Sequence, residues 1–224
     1  MKIPKIAVVI AGNKLESFLK KMDRIQQEAD LVELRVDSIR NLKVKDIEKI
    51  KQKAGKTAIF TCRKKSEGGY FSGTEGERID ILRKAVDLKF SFVDIELSTL
   101  RKYKIKKNKN TKLIVSYHNF KKTPHSLFLE KIVNEAYELG TDVVKIAVMV
   151  KRFEDNKNIL ALVLNKQPEQ EIIALGMGAK GRITRVLSPL LGGYLTFSSY
   201  EKNFFPDLTS PRKLEKIYQK LRDY

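Results

Sequence analysis

Cysteine, histidine and long apolar runs are all scarce in this chain of 224 residues. A single cysteine, Cys62, excludes an internal disulfide and a four-cysteine metal site. It also points to a reducing, cytoplasmic setting. Two histidines beside that one cysteine leave too few ligands for a zinc site, so no metal is expected. The first apolar run, Ile6 to Ala11, stops at Gly12, and no stretch approaches the roughly 18 residues that a membrane helix needs. No signal-type cleavage pattern follows it, so neither a secretory leader nor a membrane span is expected. Acidic residues are in deficit too, 27 against 45 Lys and Arg, for a net charge of +18. Such a balance admits nucleic acid or an anionic surface as a partner. The lysines are nevertheless spread along the chain, with local concentrations in 43–56 and 101–112. The stretch Lys102–Lys107 reads as the solvated face of a helix. Nucleic acid is therefore not an expected partner, and the charge serves to concentrate an anionic small-molecule substrate.

With 42% hydrophobic residues the chain can bury a proper core, and no Pro-, Gly- or Ser-rich linker divides it. A short apolar run followed by an amphipathic stretch recurs eight times. The runs are Ile6–Ile10, Leu31–Val36, Thr57–Cys62, Phe92–Leu97, Leu113–Tyr117, Val143–Ala147, Glu171–Leu175 and Tyr194–Phe197. Each is β-branched or aromatic and short, as in a strand buried on both faces of a parallel sheet. Helical spacing links Leu15, Phe18, Leu19 and Met22, then Ile79, Leu82, Ala85 and Val86. It continues through Phe128, Ile132, Ala136 and Leu139, a dense run from Leu160 to Leu164, and finally Leu214, Ile217 and Leu221. Eightfold strand–helix alternation gives an α/β class, and in this length a single (β/α)8 TIM barrel spanning 1–224. No phosphate-binding glycine fingerprint follows the first run, against an open doubly wound sheet.

Alternate side chains of a strand share a face. At the carboxyl ends of these runs, one alternating set is polar: Glu33 and Arg35, Thr61 and Arg63, Asp94 and Glu96, Ser116 and His118, and Lys145. Buried charges are either paired or used. One reading is an interior ion-pair network, and the other, favoured by where barrel active sites lie, is catalysis. Lys145, set in Asp-Val-Val-Lys-Ile-Ala, is the candidate nucleophile, since apolar surroundings disfavour the ammonium and a free amine attacks a ketone. His118, where a strand gives way to a loop, suits acid–base work, whereas His125 looks like a hydrogen-bonded loop histidine. Glu67-Gly68-Gly69 is either a carboxylate that tunes a histidine or an exposed turn. Arg185 offers a planar fork for a carboxylate, and Gly176, Gly178 and Gly181 suggest a loop that hugs a ligand, a phosphate included.

In order along the chain stand Glu33-Leu34-Arg35-Val36-Asp37, then Thr61-Cys62-Arg63 with Glu67-Gly68-Gly69, and Asp94-Ile95-Glu96. There follow Ser116-Tyr117-His118-Asn119-Phe120 with Thr123-Pro124, Val144-Lys145-Ile146-Ala147, and Met177-Gly178 with Gly181-Arg182-Ile183-Thr184-Arg185. This ordered set, covering nearly the whole chain, resembles type I 3-dehydroquinate dehydratase. The resemblance implies a TIM-barrel lyase that dehydrates 3-dehydroquinate to 3-dehydroshikimate in the shikimate pathway, with no cofactor and as a homodimer. It implies Lys145 as the Schiff-base lysine, His118 as the proton shuttle and Glu67 as the carboxylate orienting it. Glu33, Arg35 and Arg63 would bind substrate, and Arg185 would grip its carboxylate. The chain departs from the family after the eighth run. Phe204 stands where a serine is usual and Leu208 where a glutamine is usual, which removes two polar lid contacts; Asn203 and Thr209 are the nearby polar residues. Two other classes stay open on the residues alone: another Schiff-base enzyme such as a small aldolase, and a basic RNA-associated barrel without catalysis.

Overall fold

β-Branched and aromatic side chains at both faces of a run favour a pleated strand shielded on each side. The computed structural model describes residues 3–222. Its strands are β1 (Ile6–Ile10), β2 (Leu31–Arg35), β3 (Thr57–Thr61), β4 (Phe92–Glu96), β5 (Lys112–Asn119), β6 (Val143–Met149), β7 (Ile172–Met177) and β8 (Thr196–Ser199). The helices are α1 (Leu15–Ile25), α2 (Asp46–Lys53), α3 (Glu75–Asp87), α4 (Leu97–Leu100), α5 (Ser126–Glu138), α6 (Asn156–Leu164), α7 (Thr184–Leu190) and α8 (Pro211–Arg222). One sheet holds the strands in the order β7-β6-β5-β4-β3-β2-β1-β8. The pairs β1–β2, β2–β3, β3–β4 and β6–β7 are parallel. The Tyr194 amide donates to the Ile172 carbonyl at 2.9 Å and the Thr196 amide to the Lys5 carbonyl at 3.0 Å. The eighth strand thus enters between the seventh and the first. This is the strand order of a (β/α)8 barrel, the fold the alternation led us to expect.

Contacts divide the chain into two compact units, with boundaries inside β1 and β5. In the unit Val8–Val115, α1 buries Phe18, Met22 and Ile25. Helix α3 buries Ile79, Ile81, Leu82, Ala85 and Val86. That helix starts at a reciprocal cap: Thr74 Oγ1 accepts from the Glu77 amide at 3.3 Å, and the Glu77 carboxylate accepts from the Thr74 amide at 2.7 Å. Here one expectation fails. Helix α4 ends at Leu100, and Lys102–Lys107 is turn and loop rather than a helix face. Lys102 and Lys106 would stack one turn apart, and no Asp or Glu lies between residues 97 and 129 to offset them. The lysines stay exposed while Ile105 anchors the loop by burial.

In the second unit, α5 turns Leu129, Ile132, Val133 and Ala136 inward. Phe128 and Leu139, expected on that face, are exposed. Helix α8 likewise buries Leu214 and Tyr218 and leaves Leu221 outside, and Leu164 at the end of α6 is exposed. Adding Val133 and Tyr218 to the apolar set moves each stripe by about one residue, and the wider stripe decides which face packs.

Candidate active site

In the Val8–Val115 unit the carboxyl ends of β2, β3 and β4 carry charges that are buried and matched. Register puts Arg35 beside Thr61 and Thr61 beside Asp94. The Thr61 hydroxyl donates to Glu33 at 3.1 Å. Arg35 forks onto Asp37 with bonds of 2.9 and 2.8 Å, and Asp37 also accepts the Tyr70 amide at 3.1 Å. Burial alone would lower the Arg35 pKa, but the Asp37 charge and hydrogen bond outweigh it and hold it above the ordinary arginine value. Arg63 lies 2.7 Å from Asp94 and 3.1 Å from Glu96. Burial opposes its charge as well, and the two carboxylates raise it well beyond the usual range.

Behind this row stands Arg78 of α3, fully buried. Its guanidinium donates to Glu96 at 2.8 Å, the Cys62 carbonyl at 2.7 Å, the Thr99 hydroxyl at 2.6 Å and both oxygens of Glu75. Sequence reasoning missed Arg78. The signal was its position one turn before Leu82 and two before Ala85, on the buried stripe. Glu67 closes a short turn after β3. Gly68 there has a φ of 77°, and a Cβ on Gly69 would lie 1.9 Å from the Arg63 carbonyl oxygen. Both glycines therefore serve the turn, pressed onto the exit of β3. The Glu67 carboxylate accepts the Ser98 hydroxyl at 2.6 Å and pairs with Lys64 at 3.5 Å.

In the second unit, Lys145 lies mid-way along β6, 7% exposed, among buried Val144, Ile146 and Ala147. Its Nζ sits 4.2 Å from the centre of the Phe197 ring on β8. Strand β7 pairs with β6, and its Ile172 carbonyl accepts the Tyr194 amide just before β8, so Lys145 and Phe197 meet across β7. His118 is half-buried on β5, which runs on to Asn119 instead of ending before the histidine. Its ring stacks against Phe120 at 6.3 Å. The Asn119 side chain then accepts the amides of Lys121 and Lys122, and Thr123 donates to the Met149 carbonyl at 2.8 Å, tying the loop to the exit of β6. His125 precedes α5 and makes no side-chain cap.

Arg185, on α7, is 7% exposed, and its Nε has no hydrogen-bond partner among the described residues. Burial pushes its pKa down to about 10, with Arg182 acting the same way and Asp207 opposing. It remains a cation at neutral pH. Gly176 and Gly181 pack on each other, a Cβ on Gly176 falling 2.8 Å from the Gly181 Cα, and Thr184 bridges them through the Gly176 amide and Gly181 carbonyl at 2.7 Å each. These two glycines allow the backbone packing that leads into α7. At the departure after β8, Leu208 is buried, Lys202 donates to its carbonyl at 2.9 Å, and Asp207 reaches Arg182 at 3.5 Å. Asn203 is exposed. Among the described residues no three His, Cys, Asp or Glu side chains converge as metal ligands, and no helix is long and apolar enough to cross a membrane.

A family model described as Type I 3-dehydroquinase matches residues 6–224. The chain belongs to the type I 3-dehydroquinase family. It is thereby a hydro-lyase. A 3-dehydroquinate dehydratase of Coxiella burnetii is 41% identical over 196 residues, covering 88% of this chain and 84% of the relative. One from Methanocaldococcus jannaschii is 37% identical over 220 residues, covering 96% and 97%. The crystal structure of the Geobacillus kaustophilus 3-dehydroquinate dehydratase superposes with a TM-score of 0.88 at 25% identity, covering 99% of this chain and 92% of that one. The (β/α)8 fold is shared with that crystal structure.

Proposed function

We propose that this chain dehydrates 3-dehydroquinate to 3-dehydroshikimate through an imine formed on Lys145. Family membership supports the reaction. The observation that carries the chemistry is the presence, in one unit, of a lysine buried beside the Phe197 ring and a buried arginine whose Nε is unfilled. A buried cation with an idle donor is costly unless an anion meets it, and the substrate carboxylate is that anion.

The Lys145 amine adds to the ketone carbon, and loss of water leaves a protonated imine. That group withdraws electrons, so the adjacent C–H becomes acidic and the His118 imidazole takes its proton, giving an enamine. The enamine electrons return and expel the β-hydroxyl, which leaves as water with the proton from His118. Water then hydrolyses the conjugated imine, releasing the enone product and the free amine. The net change is the loss of one water. In the same proposal Glu67 orients the histidine, Glu33, Arg35 and Arg63 hold the substrate's hydroxyls, and Arg185 holds its carboxylate. The protein works as a cytoplasmic homodimer, without metal or organic cofactor.

Supplying 3-dehydroquinate and following ultraviolet absorbance tests this directly. Growth of the conjugated enone-acid band is the expected result. Release of two smaller fragments instead would identify an aldolase and end the proposal.

A further inference from the structure

Ser98 belongs to no motif singled out in the sequence, yet it occupies a specific place. It follows β4 in the short helix α4, and its hydroxyl donates to Glu67 at 2.6 Å. The Lys64 ammonium donates to the same hydroxyl oxygen at 2.5 Å. A hydroxyl has one proton and two lone pairs, so a lysine on the oxygen leaves that proton for the carboxylate. Lys64 itself is fixed at the main chain, its amide donating to Glu96 at 3.1 Å, and Glu96 is held by Arg78 at 2.8 Å. The exit of β4 thus grips the turn that carries Glu67 at two points, one on the backbone and one on the carboxylate. Glu67 ends the short turn Lys65–Glu67, directly before Gly68 and Gly69, and has no strand or long helix of its own to fix its χ angles.

We infer that Ser98 is a positioning residue for the reaction: it fixes the orientation of the Glu67 carboxylate and acts on turnover only through it. This rests on the role of Glu67 proposed above. A hydrogen bond to a charged group restrains more strongly than a neutral one, and a poorly aimed catalytic carboxylate costs rate rather than binding.

The experiment measures kcat and KM for 3-dehydroquinate in four full-length variants: Ser98→Ala, Ser98→Thr, Glu67→Gln and the Ser98→Ala, Glu67→Gln double. Ser98→Ala is expected to lower kcat about tenfold with KM within about twofold. Ser98→Thr keeps the hydroxyl and should recover most of the rate. In the Glu67→Gln background the alanine should cost nothing further, because its only route to turnover has been removed. A merely structural serine would give the same loss in both backgrounds. Wild-type kcat in Ser98→Ala, or an additive loss in the double variant, overturns the inference and leaves the role of Glu67 intact. Full activity in Glu67→Gln overturns both.

Discussion

The two units treat buried charge in opposite ways. In Val8–Val115, Arg35, Arg63 and Arg78 each face carboxylates at 2.7–3.1 Å, and charge balance more than offsets the burial of Arg35 and Arg63. In the other unit Arg185 is buried with an idle Nε, and burial wins, bringing it down to about 10. Lys145 there lies over an aromatic ring. Both arrangements put arginine in a low-dielectric setting, but neighbouring carboxylates win in the first and burial wins in the second. The lesson is that burial alone does not mark a functional charge. Arg35 and Arg63 are buried against carboxylates of the chain, whereas Arg185 is buried with one donor unfilled.

Substitutions can sharpen or break this contrast. The largest effect is expected for Lys145→Ala, with kcat falling on the order of a thousandfold or more, since no other amine is proposed to form the imine. Residual turnover near wild type would remove the covalent route. His118→Ala should lower kcat by roughly 10²–10⁴ while the imine still forms, as the histidine acts after carbon–nitrogen bond formation. Normal turnover there would defeat the proton-shuttle role. Arg78→Met strands Glu96, and loss of one member of a buried ionic network costs roughly 3–5 kcal/mol. At about 2–4 °C per kcal/mol for a chain of this size, the melting temperature should fall by about 10 °C.

Arg185→Met should behave oppositely. The folded state holds that arginine at about 10, below the ordinary arginine value, so the fold disfavours its charge at every pH below about 10. The penalty is therefore present in full at neutral pH and fades as pH rises beyond 10, where the folded side chain gives up its proton before the unfolded one does. Melting at pH 7 should be unchanged or a few degrees higher, with KM up roughly 10–100-fold for loss of the carboxylate contact. If Arg78→Met and Arg185→Met destabilise equally, the distinction between the two units fails.

The fold was readable because strands shielded on both sides need unbroken apolar runs, and all eight such runs hold strands. Their ends were less readable: β5 and β6 continue to Asn119 and Met149, where polar or flexible side chains mask an extended backbone. Single-stripe reasoning misplaced the buried face of α5, because Phe128 and Leu139 have the right chemistry one position off the packed line. Around the site, the polar alternation on β2–β6 brought out Glu33, Arg35, Arg63, His118 and Lys145. It could not reveal which of them the chain itself would pair, since Asp37 and Arg78 act from a turn and a helix. Ser98 carried no signal at all, a small hydroxyl beside buried Leu97 and Thr99 whose meaning comes from its contacts with Glu67 and Lys64.

The most direct measurement is reduction with borohydride in the presence of 3-dehydroquinate, followed by mapping of the modified peptide. A stable adduct on Lys145, formed also in His118→Ala, is the expected result. A wild-type protein that turns over substrate yet carries no adduct at Lys145 would contradict the account.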